Sequence, residues 1–99
     1  MFALSLTSPA EILKGVAARM KRRRLDLDLT QHELASRSGV SYGSLRLFEE
    51  TGKASFEAVV KIAFALEAEA EFEALFPPRP VKTLDDVVGR PVRQRARSK

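Results

Sequence analysis

The chain has 99 residues, no cysteine and a formal charge of +4. That length makes one small domain with a modest core, to which a partner surface, a second copy included, would add stability; dimerisation is therefore expected. The lack of cysteine excludes a disulfide framework and any thiolate metal site, and His32, the single histidine, builds no metal centre alone, so neither metal nor cofactor is expected.

Residues 1–7 read as a short N-terminal segment. Met1 to Leu6 is too short for a signal peptide and lacks a basic leader, and no apolar run approaches membrane-spanning length, so a soluble, cytoplasmic protein is expected. Ser8-Pro9-Ala10-Glu11 combines an N-cap hydroxyl, a proline at the first helical position and a capping glutamate. The first helix follows, with Ile12, Leu13, Val16, Ala17 and Met20 as its buried stripe. Leu25, Leu27 and Leu29 then alternate with Asp26 and Asp28; despite the strand-like period this reads as a loop anchored by its leucines.

Thr30-Gln31-His32-Glu33 is a second capping box, opening a helix with Leu34 and Ala35 inward. Gly39 can take the left-handed conformation that ends it, and Ser41 can cap a third helix running through Leu45 and Phe48 to about Glu50. The chain between the two helices is so short that it must form a sharp corner. Thr51 to Ala54 is a loop, and Ser55 caps a fourth helix with Phe56, Val59, Val60, Ala63 and Leu66 on one apolar face. Ala70 to Phe76 supplies a shorter fifth helix, stopped by Pro77-Pro78, with Phe72, Leu75 and Phe76 apolar. Phe72 and Phe76 either close the monomer core or serve a dimer contact.

Residues 77–99 form a proline-rich linker and a basic tail. Pro77 to Pro80 is a stiff, extended spacer. Thr83 to Val88 suits either one helical turn or a short strand, and Gly89 to Lys99 lacks the apolar surface to fold alone. From Arg79 onward there are seven basic residues against two acidic, +5, which leaves −1 of the total for everything before it. Within that remainder the first half is basic, with Lys21 to Arg24, Arg37, Arg46 and Lys53, and the fourth and fifth helices are acidic, so an electrically two-faced globule is expected.

Leu29-Thr30-Gln31, Glu33-Leu34-Ala35, Gly39-Val40-Ser41, Leu45, Phe48-Glu49 and Gly52-Lys53, with the apolar helix to Leu66, resemble the lambda-repressor-like Cro/repressor (XRE) helix-turn-helix family over about two thirds of the chain. Val40 to Leu45, Phe48-Glu49 and Thr51-Gly52-Lys53 look closest to HipB-like antitoxin regulators encoded beside HipA-like kinases. The resemblance implies an all-α, five-helix DNA-binding domain over residues 8–76. It implies a homodimer on a double-stranded operator, associated with the nucleoid when bound, and a HipA-like kinase toxin as a possible further partner.

By the same resemblance Gln31 clamps a phosphate at the start of helix two, and Ser41, Tyr42, Gly43, Ser44 and Arg46 occupy the exposed, base-reading side of helix three, with Arg37 among the basic residues beside them. Arg46 suits a bidentate contact to guanine, a phosphate contact or a surface ion pair with Glu50; Lys53 and the Thr51-Gly52 backbone suit phosphates after the helix. Gly43 stands where related proteins usually carry a reading side chain. Arg24 and Glu49 match a buried structural pair tying helix one to the end of helix three. Arg90, Arg93, Arg95 and Arg97 fit three roles equally: an arm on DNA, a surface for a protein partner, or a solubilising tail.

These residues lead to a sequence-specific repressor, the autoregulating antitoxin of a kinase-type toxin–antitoxin pair. The alternatives are a stand-alone or phage-type repressor, or an interaction module that holds a partner kinase. A catalytic function is not expected: Glu49 and Glu50 are adjacent and splayed on a helix, no serine has a histidine–acid constellation, and there is no glycine-rich phosphate loop.

Overall fold

The computed structural model describes residues 7–80. The expectations for residues 1–6, for Thr83 to Val88 and for the arginines of the tail lie outside those residues. The described part is all-α, with the helices α1 (Pro9–Asp26), α2 (Gln31–Ser38), α3 (Tyr42–Thr51), α4 (Phe56–Ala65) and α5 (Ala70–Glu73). Among the described residues no helix is long and apolar enough to cross a membrane.

Each of the first four helices starts where a hydroxyl can satisfy its free N–H groups. Ser8 and Thr30 make reciprocal capping boxes with Glu11 and Glu33, and Ser41 and Ser55 accept from the N–H of Ser44 and Ala58. The Thr30 N–H donates to Glu33 Oε1 at 2.8 Å. That bond first, then the Thr30 hydroxyl, holds the Glu33 carboxyl below the usual glutamate range, with Arg37 adding attraction and desolvation opposing it. Because the folded pKa is the lower one, the stability it contributes is present above the ordinary glutamate pKa and is lost as pH falls through the folded value. Acidification should therefore fray the first turn of α2, read as a lower amide protection factor at Thr30, whose N–H the carboxylate accepts, and Glu33→Gln should remove that pH dependence.

The ends of the helices carry less local signal. α1 runs on through Leu25 to Asp26 and closes when the Leu29 N–H reaches back to the Arg24 carbonyl at 3.1 Å, with Asp28 left-handed at φ 60. The alternating leucines are thus partly helix, and of the three only Leu29 is buried. Aspartate tolerates the left-handed region better than most residues, which explains a helix end without glycine there.

The core gathers Ala17 of α1, Leu34 and Ala35 of α2, Val40 from the corner, Leu45 and Phe48 of α3, and Ile62, Ala63 and Leu66 at the end of α4. α3 packs against α1 and α2, and α2 also packs against α4. Two expected stripes are narrower than their periodicity suggests. Ile12 and Leu13 are exposed, because the core meets α1 at Val16, Ala17 and Met20 and not at its first turn, and Phe56 is exposed at the start of α4 while Ile62 is buried.

The fifth helix is a single turn that ends at Glu73, short of Phe76. Glu69 offers no side-chain cap, and Pro77 disfavours the helical conformation for Phe76, which is left-handed at φ 56. Phe72 is half-buried, edge-on to Phe56 with ring centroids 5.9 Å apart, whereas Phe76 is almost fully exposed and closes no core. Glu71 meets Arg23 of α1 at 2.5 Å, so the acidic end folds onto the basic helix and the expected two-faced polarity is reduced at that contact.

Candidate nucleic-acid interface

α2 and α3 meet at the three-residue corner Gly39-Val40-Ser41. Gly39, at φ 77, turns the chain out of α2 and gives its N–H to the Ala35 carbonyl at 3.0 Å. Val40 drops its side chain into the core and pins the corner from inside. Ser41 is extended at φ −62, ψ 152; its hydroxyl accepts from the Ser44 N–H at 3.1 Å and donates to the Ser44 hydroxyl at 2.9 Å.

The orientation of α3 is then set at its other end by one polar hub. The Nε and Nη2 of Arg24 donate to the two carboxylate oxygens of Glu49 at 2.8 and 3.0 Å, and Nη1 donates to the Leu29 carbonyl at 2.7 Å. The amide of Gln31 donates to Glu49 at 2.8 Å. The Arg24 and Glu49 side chains are only 7% and 4% exposed, so the hub joins α1, the first residue of α2 and the last turn of α3 in a place with little water to compete. The pair matched in the sequence is therefore buried and bidentate. Gln31 belongs to it, which the sequence does not indicate: one amide hydrogen is committed to Glu49, leaving the second hydrogen and the carbonyl oxygen for an outside contact.

On α3 the buried positions Leu45, Phe48 and the Glu49 side chain turn one face inward, and Gly43, Arg46, Leu47 and Glu50 follow at three- and four-residue spacing on the opposite, exposed side. Ser41 and Ser44 are also exposed. Tyr42 differs from the expectation of a free reading side chain: it is half-buried against the core and its ring lies flat on His32, with centroids 3.8 Å apart and planes 7° from parallel. A stacked ring has one face taken and little freedom to turn. His32 and Leu47 are the two members of this surface that sequence reasoning passed over. Four-residue spacing from Gly43 marks Leu47, whereas only the α2–α3 approach brings His32 to Tyr42.

Arg46 pairs with Glu50 at 3.3 Å, both more than half exposed. Such a pair contributes at most about 1 kcal/mol and is readily exchanged for a stronger partner. Arg37 is exposed on the outer side of α2, and Lys53 is exposed just past α3. The Thr51-Gly52 backbone is less available than expected: the Gly52 N–H is committed to the Phe48 carbonyl at 2.7 Å and the residue is buried. Gly43, by contrast, has nothing within 4 Å of the place a Cβ would occupy.

What the fold and this surface define is a small all-α domain that presents the exposed side of α3, with basic residues beside it, on a rigidly tied corner. The chain matches no family model and no curated protein sequence.

Proposed function

We propose that the chain is a sequence-specific DNA-binding repressor whose α2 and α3 act as a helix-turn-helix, two copies reading two half-sites. On its resemblance to HipB-like regulators, we assign it the role of an antitoxin that represses its own operon beside a HipA-like kinase. The observation that carries the DNA reading is the α3 surface, which keeps Gly43, Ser44, Arg46 and Leu47 exposed while the far end of the helix is locked through Glu49. A rod placed in a groove needs that combination, because orientation must be set before base edges can discriminate.

In this reading Arg46 leaves Glu50 for guanine, Leu47 meets a thymine methyl, and Gln31, Arg37 and Lys53 hold phosphates. Small residues at 43 and 44 let the helix backbone lie close to the duplex. Part of the specificity then comes from groove shape and the two-fold spacing of half-sites.

The test is fluorescence anisotropy on duplex fragments, starting with the DNA upstream of the chain's own gene. Arg46→Lys preserves charge but removes the fork, and should weaken the preferred target by roughly 5- to 150-fold, corresponding to about 1–3 kcal/mol, with little change on random duplex. Gly43→Ala should stabilise the free protein by about 0.5–1 kcal/mol, because the site is open, while weakening DNA binding. The absence of any preferred target, or an Arg46→Lys protein with unchanged preference, would overturn the proposal. A kinase gene beside this one separates the antitoxin role from that of a stand-alone repressor.

A further inference from the structure

α4 is apolar on more sides than the domain buries. Of its ten residues only Glu57 and Lys61 are charged. Ile62 and Ala63 face the core, yet Phe56 and Phe64 are 65% and 63% exposed, with half-buried Val60 between them at four-residue spacing. A helix that is apolar nearly all round is normally covered nearly all round.

We propose that α4 pairs antiparallel with α4 of a second copy through the stripe of Phe56, Val60 and Phe64. The stripe is its own complement. A two-fold axis at Val60 sets Phe56 of each copy against the partner's Phe64, and a shared two-fold makes each contact occur twice. Charge points the same way. Glu57 and Lys61 flank the stripe on one side, bonded at 3.6 Å within the helix, and antiparallel pairing brings each Glu57 toward the partner's Lys61. A face that carries both signs in this order suits itself better than it suits a polyanion.

The area is also of the right kind. An aromatic side chain buries about 150–250 Å² when covered, so two phenylalanines at nearly two-thirds exposure supply roughly 200–300 Å² per copy. A standard interface takes about 800 Å² per partner, with an apolar centre inside a polar rim, and the stripe fits that centre. The pairing deepens the two-copy part of the proposed function and rests on no DNA contact.

The full chain, without DNA, should sediment as a monomer–dimer equilibrium. Phe64→Ser should raise the dimer dissociation constant roughly thirtyfold or more, and because Phe64 is exposed the helical circular dichroism should stay unchanged. Glu57→Lys should weaken the dimer, and adding Lys61→Glu should restore it. Since the chain has no cysteine, Val60→Cys provides a unique probe: it should form a disulfide-linked dimer on mild oxidation, while Leu47→Cys on α3 should not. A monomer at all concentrations, a dimer indifferent to Phe64→Ser, or equal cross-linking at Leu47→Cys would overturn the pairing. Such a failure is distinct from failure of the DNA reading, because Arg46→Lys should leave sedimentation unchanged.

Discussion

Arg24→Ala should destabilise the protein by about 3–5 kcal/mol, because it removes three hydrogen bonds at once and leaves the Glu49 carboxylate buried with Gln31 as its remaining partner. The Leu29 carbonyl loses its side-chain donor in the same step. For a domain of this size each kcal/mol shifts the melting temperature by about 4–8 °C, so the variant should be unfolded or nearly so at growth temperature. Urea titration of Arg24→Ala, Arg24→Lys and the double variant Arg24→Met/Glu49→Leu separates the causes. Lysine keeps the charge but not the side-on fork, and should recover only part of the loss. The double variant removes both charges and should be far more stable than either single truncation, since the penalty lies in the orphaned partner. A loss below about 1 kcal/mol for Arg24→Ala would show that water solvates the pair as it does a surface bridge.

Gly52→Ala should be the costliest of the glycine substitutions. At φ 84 a side chain is strained, and a Cβ there would lie 2.7 Å from the Leu13 carbonyl carbon and 2.8 Å from its oxygen, both backbone atoms of α1. The left-handed conformation costs an L-residue about 1–2 kcal/mol, and forcing two packed helices apart adds about 1–3 kcal/mol. Gly39→Ala is the internal control. It shares the left-handed φ but has open space around it, so it should lose only the conformational part. Equal melting temperatures for the two variants would show that the α1–α3 approach yields without cost.

These two residues also mark how much of the molecule could be read in advance. The starts of α1 to α4 were legible because each is set within four residues: Ser8, Thr30, Ser41 and Ser55 all cap as their spacing implies. The corner at Gly39 was legible for the same reason. Of the surface, the exposure of Gly43, Ser44 and Arg46 follows from the period of a helix whose Leu45 and Phe48 must turn inward. Elsewhere a distant partner decides. Periodicity shows that Ile12, Leu13 and Phe56 lie on apolar stripes, but not that α1 and α4 meet the core over only part of their length. Nor could local pattern show where α5 lies, since its contacts with Arg23 and Phe56 come from helices far back in the chain.

The sequence by itself determined the helical class, the helix starts, the corner and the exposure of Gly43, Ser44 and Arg46 on α3, because caps, left-handed glycines and the 3.6-residue period act within a few residues of chain. Only the tertiary structure decided that Gln31 joins the Arg24–Glu49 hub, that Tyr42 is held flat on His32, that Gly52 is pressed against Leu13, and that Phe56 and Phe64 are left outside. Those outcomes depend on how closely helices far apart in sequence approach, and that distance is set by the volume of side chains packed between them.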